Sequence, residues 1–134
     1  MGKKMKLCTI NQTIKEINEL VLDMSSEWGW FHFAFSLIQE GIAILEGSFD
    51  LSAIYRTFDK IEIEFSNAIY IKTVLYEWSL HEEKPLIELV QQDESLKELG
   101  AFDDIKSGKF YAFNINTDVN ESILVVADGI KYMF

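Results

Sequence analysis

Apolar and charged positions first fall into strict alternation in the stretch Ile61–Trp78, IEIEFSNAIYIKTVLYEW. Ile61, Ile63 and Phe65 alternate with Glu62 and Glu64, which predicts a strand with one apolar and one acidic face. Ser66-Asn67 supplies turn chemistry, and the β-branched and aromatic run Ile69–Tyr76 predicts a second strand. A two-residue loop would set Glu64 opposite Ile69 and mix the two faces. A three-residue loop, Ser66 to Ala68, pairs Phe65 with Ile69, Ile63 with Ile71 and Glu62 with Lys72. Because a one-residue slip turns every side chain over, the pattern selects the second register, although Ala68 suits the left-handed end of such a loop poorly. A helix is the rival, since Leu51, Ile54, Tyr55, Phe58, Ile61, Phe65 and Ile69 also keep a three-to-four spacing. The β-branched run after Asn67 favours strands.

The pattern elsewhere predicts both element types. Residues 1–9 read as a flexible lead-in. Thr13 and Glu16 form a capping-box pair ahead of an amphipathic helix whose apolar face is Ile14, Ile17, Val21 and Met24, ending near Ser25-Ser26. Trp28–Glu46 predicts a second, largely buried helix. Phe31, Ala34, Phe35, Ile38, Ile42 and Leu45 lie on one side of it, and its length exceeds a usual strand. Gly41 within it costs about 1 kcal/mol against alanine, and Gly47 is a stop signal. Ser48 or Asp50 caps a short helix over Leu51–Phe58. Pro85 fits the first turn of a further helix near 86–99, marked by Leu86, Leu89, Val90, Leu96 and Leu99. Phe110–Ile115 reads as a strand, and Ile123–Ala127 as a central strand covered on both faces. Asp128-Gly129 is a strong hairpin signal, which would pair Val126 with Lys131, Val125 with Tyr132 and Ile123 with Phe134. The expected fold is α+β in a single domain, 1–134. N-terminal helices pack on a mostly antiparallel sheet built from hairpins near 60–78 and 109–134.

Charge changes the picture more than composition does. At 134 residues with 18 aromatics, the chain is long enough for a core without disulfide or metal staples. Its net charge is −10, and Lys3, Lys4, Lys6 and Lys15 stand in a first segment free of acids, which leaves eight of the 12 basic residues against all 22 acids. Such a field repels nucleic acid and anionic membrane and steers a basic protein inward, although it also serves plain solubility. Cys8 is the only cysteine, which points to a reducing compartment. No apolar run follows the N-terminal lysines, and polar residues interrupt Trp28–Leu45, so the expected location is cytoplasmic.

Candidate chemistry is sparse. His32 lacks a second ligand at a useful spacing and reads as a buried, hydrogen-bonded histidine. His81 begins His-Glu-Glu-Lys-Pro, where Pro85 replaces the second histidine of a zinc-protease helix. Cys8 as a nucleophile would sit in the lead-in. Asn114, Asn116, Asp118 and Asn120 alternate like a calcium loop, but Val119 and Val125 occupy the positions that need glycine and glutamate. Asp104-Ile105-Lys106 has only the last element of a metal-nuclease pattern. Glu62 and Glu64 are spaced as an acid–base pair, yet on an alternating strand a solvated face accounts for them. No cofactor is expected. The other face of the predicted hairpin, with Tyr70, Lys72, Val74, Tyr76 and Trp78, combines aromatics with acids, as a surface for a basic partner would. The alternative is that the 86–99 helix covers this face and the aromatics are core.

In its acidic strand-turn-strand Ile61–Trp78, small size and lack of catalytic motifs, the chain resembles the small acidic immunity proteins of bacterial polymorphic-toxin and contact-dependent growth-inhibition systems. The resemblance covers a minority of the chain and includes no diagnostic motif. It implies a non-enzymatic, cytoplasmic protein that occludes the basic active site of a toxin domain, such as a nuclease. Glu62, Glu64, Tyr70, Tyr76, Trp78, Glu82 and Glu83 are then the expected partner-binding residues. The alternative is a self-associating structural or regulatory subunit from a phage or mobile element. An enzyme using Glu62, Glu64 or His81 is a third reading.

Overall fold

The computed structural model describes residues 2–28, 31–39, 41–49, 60–72, 77–79, 83–90, 105, 107–119 and 122–133. Among the described residues a long helix, α1 (Gly2–Trp28), precedes nine strands. These are β1 (Phe31–Gln39), β2 (Gly41–Phe49), β3 (Lys60–Ala68), β4 (Tyr70–Lys72), β5 (Glu77–Ser79), β6 (Ile87–Leu89), β7 (Tyr111–Asn116), β8 (Ser122–Ala127) and β9 (Gly129–Met133). The fold is α+β, with the helix packed on antiparallel strands. A five-stranded sheet has the order β5-β1-β2-β3-β9 and a four-stranded sheet the order β4-β8-β7-β6.

Helix α1 buries the expected stripe, Ile14, Ile17 and Val21, together with Ile10 one turn earlier. It starts at Gly2, so the expected flexible lead-in is helical from that residue on. Thr13 therefore lies inside the helix, where its hydroxyl donates back to the Thr9 carbonyl (2.9 Å) instead of capping.

The second helix expected over Trp28–Glu46 is instead the hairpin β1–β2, in register from Phe31 opposite Phe49 to Gln39 opposite Ile42. The register shifts between Phe35 and Leu37. A strand whose phase changes midway shows no single alternation, so its apolar residues fall by accident into helical spacing. Gly41, which would have weakened a helix, takes φ 85° at the start of β2.

The hairpin expected at Ile61–Trp78 does not form. β3 does alternate as read, with Ile61, Ile63 and Phe65 fully buried and Glu62 and Glu64 on the opposite face. Its partners, however, are β2 and β9: Ile63 lies between Leu45 and Tyr132, and Glu62 between Glu46 and Met133. Lys72 of β4 faces Leu124 of β8, and β5 pairs with β1. Asp128-Gly129 likewise makes no hairpin, because β8 and β9 belong to different sheets. Val126 faces Tyr70 and Ala112, while Lys131 faces Glu64.

Both misread turns are one feature. β3–β4 and β8–β9 run antiparallel as a long ribbon that bends from one sheet into the other. At the bend three residues, Asn67 to Ile69, oppose two, Ala127 and Asp128. Asn67 is left-handed (φ 51°), and its side-chain amide donates to Asp128 Oδ2 (2.7 Å). The Asp128 N–H donates to the Ser66 carbonyl and the Ile69 N–H to the Val126 carbonyl.

Helix near 86–99 is corrected over its first residues: Ile87–Leu89 is the strand β6, paired with β7 from Ile87 opposite Ile115 to Leu89 opposite Phe113. Residues 91–99, and the short helix expected at Leu51–Phe58, lie outside the described residues. The strands read at Phe110–Ile115 and Ile123–Ala127 are β7 and β8. Tyr111, Phe113, Ile115, Ile123, Val125 and Ala127 join the main core, where Phe65 meets Phe113 across the sheets at 5.4 Å between ring centroids. Ala112 and Val126, on the other face, pack with Ile105, so this sheet is covered on both sides.

Candidate protein-binding surface

The expected partner-binding residues do not share one face. Glu62 and Glu64 project from β3 away from the core and are half-buried. Tyr70 stands on β4 in the other sheet, packed against the Ile105–Ala112–Val126 cluster. Trp78 is core: on β5 it is 4% exposed, its ring against Phe33 (6.3 Å, stacked) and Phe35 (5.9 Å, tilted). Its indole N–H is buried without an acceptor among the described residues. Glu83 is exposed ahead of β6. Tyr76 and Glu82 lie outside the described residues. The face imagined from a 61–78 hairpin is therefore not built, because the carboxylates and Tyr70 belong to different sheets.

The structure assembles a different acidic row. Glu46 of β2 is the register partner of Glu62, and Glu64 follows two residues along β3 on the same face. Directly opposed side chains on adjacent antiparallel strands stand about 5 Å apart at Cβ, so the three carboxylates form one patch on the two central strands. Beside them β9 contributes Lys131, which is ion-paired to Glu64 (2.9 Å), and Met133, which is 63% exposed. Lys131 is largely solvated, so this bond is worth only a fraction of a kcal/mol to about 1 kcal/mol. Half-buried Ile42 and Ile44 extend the face along β2. The sequence held Glu46 in plain view, but a reading that placed it on a helix gave no reason to set it against Glu62.

Other residues weighed for chemistry serve the fold. Asn116 is buried, donating from its amide to the Pro85 carbonyl (2.8 Å) and accepting from Asn114 (3.0 Å). The Asp118 carboxylate accepts the backbone N–H of Ser79 (3.1 Å), tying β5 to the end of β7. These three of the four calcium-like positions thus act as structural hydrogen-bonding groups, and Asn120 lies outside the described residues. Cys8 is exposed on α1. His81 and the side chain of His32 lie outside the described residues. Among the described residues no group of three or more histidine, cysteine or acidic side chains is placed to hold a metal, and no helix is long and apolar enough to cross a membrane.

Two phenols are perturbed. Burial raises Tyr111, whose ring carries Lys6 Nζ at 5.5 Å from its centroid. Tyr132 is raised by burial first, and further by the hydrogen bond its hydroxyl donates to Glu16 Oε2 (3.2 Å) and by the Glu16 charge. No protein-family model matches the chain, and neither a curated protein nor a solved structure is significantly similar to it.

Proposed function

We propose that this chain is a non-enzymatic, cytoplasmic binding protein that neutralises a basic protein partner, in the manner of bacterial immunity proteins that occlude a toxin's active site. The observation that carries the reading is the Glu46–Glu62–Glu64 row on the central strands of the five-stranded sheet, in a chain of net charge −10. Carboxylates held on paired strands lose little side-chain freedom on engaging lysine or arginine, and a negative field accelerates encounter with a basic surface. A toxin domain that cuts nucleic acid needs a basic cleft, and an acidic sheet face complements it. Of the residues expected from the sequence, Glu62 and Glu64 keep this role, Glu46 joins them, and Trp78 supports the fold from inside.

The test uses the full chain and the basic C-terminal domain encoded by an adjacent upstream reading frame. Association rates are measured by stopped flow or biolayer interferometry across a salt series. Glu62→Lys with Glu64→Gln is expected to slow association about tenfold or more at low salt and to flatten the salt dependence. Tight binding that ignores both salt and these substitutions would refute an acidic docking face. Failure to bind the domain at all would remove the immunity reading.

A further inference from the structure

Asn18 makes a two-point polar contact between the helix and the four-stranded sheet. Its side-chain amide donates to the Ile87 carbonyl (2.9 Å), and its Oδ1 accepts the Ile87 N–H (3.0 Å). Strand β6 is an edge of the four-stranded sheet. The Leu86 carbonyl and the Val90 N–H bond to β7, so the Ile87 groups point the other way, off the sheet. A carboxamide carries the same donor and acceptor as a peptide unit, and here it stands where the next strand would.

We infer that α1 is a strap closed over the β6 edge, with Asn18 as its latch, and that it opens as a unit ahead of the sheets. Three observations support the device. Among the described residues, the largest fully buried side chains include Phe33, Leu45, Phe65, Tyr111 and Phe113 from strands against Ile17 from α1, so the sheets keep a core between them without the helix. The helix has no acid in its first turn and no basic residue in its last, so neither end is matched to the helix dipole. Beyond the apolar stripe, its polar ties among the described residues include Asn18–Ile87 on the four-stranded sheet and Glu16–Tyr132 on the five-stranded one, two residues apart and so on opposite flanks of the helix, which straddles the two sheets. Opening exposes the Ile87 N–H and carbonyl and the inner stripe together, an edge able to accept an added strand.

Native-state hydrogen exchange on the full chain tests this. The amides of residues 10–21 and of Ile87 should share one opening free energy, lower than that of Ile63 and Val125. Asn18→Ala should accelerate exchange in that group about tenfold or more and leave Ile63 and Val125 unchanged. Asn18→Asp keeps the acceptor for the Ile87 N–H but turns a carboxylate oxygen toward the Ile87 carbonyl, and should accelerate exchange in the same group at least as much as Asn18→Ala. The idea is overturned if wild-type α1 amides exchange no faster than those of β3 and β8. Equal acceleration of every amide by the Asn18 variants would overturn it too, since Asn18 would then contribute only to global stability.

Discussion

Tyr132 joins charge, burial and fold in one side chain. It packs on the core from β9 and donates to Glu16 on α1. Its hydroxyl is raised above the ordinary value of 10.0, so the folded state favours the protonated form. The stability this confers is complete below pH 10.0 and is lost as pH rises through the higher folded value. Tyr132→Phe should therefore cost about 0.5–1.5 kcal/mol at neutral pH and flatten the alkaline decline of stability. Urea denaturation at neutral pH and at successive steps above pH 10.0 measures both effects. An unchanged alkaline slope would place the titrating group elsewhere. Asn116 makes the same point about residues without titration: a side chain spaced like a metal ligand is a structural amide, because it is buried with a carbonyl in reach.

At the scale of elements, the bend between the sheets decides the topology. Asn67 holds a left-handed conformation and a hydrogen bond to Asp128. Asn67→Ala loses both and should destabilise by about 2 kcal/mol or more, combining left-handed strain with a lost hydrogen bond. Asn67→Gly keeps the conformation freely and should cost clearly less. Thermal or chemical denaturation that ranks the two the other way would mean the hydrogen bond and backbone angle do not hold the bend. Ser66-Asn67 was legible as a turn, and asparagine is the residue type that tolerates this angle. Asp128-Gly129 also marks a change of direction, but Gly129 is not among the positive-φ glycines. The conformational freedom that makes Asp-Gly a hairpin signal is not used, because the following strand runs on into the other sheet.

At the scale of the whole molecule, the two sheets meet through Phe65 and Phe113, both fully buried. Phe65→Ala should cost about 3–5 kcal/mol, since it removes a large side chain where two sheets pack and leaves a cavity that neither can close. A chemical denaturation midpoint within error of wild type would show the sheets do not rely on that contact. This packing also explains the candidate surface. Once β3 gives its apolar side to the other sheet, Glu62 and Glu64 must face outward, and pairing with β2 brings Glu46 beside them. The acidic row follows from strand order and does not exist in any one segment.

The sequence by itself determined which side of an element is apolar and where the chain has to turn. Ile14, Ile17 and Val21 face inward on α1, Ile61, Ile63 and Phe65 on β3, and β8 is covered on both faces, all as their spacing requires. Periodicity is a local property, and burial follows it directly. Tertiary structure alone decided which strands pair. An alternating strand carries the same pattern whether its neighbour is the next segment or one 71 residues away, as with Glu62 and Met133. It also decided that Phe31–Phe49 is a hairpin and not a helix, because a register shift between Phe35 and Leu37 breaks the alternation that would have announced it. Backbone hydrogen bonds are indifferent to residue type, so pairing is set by how the faces pack together.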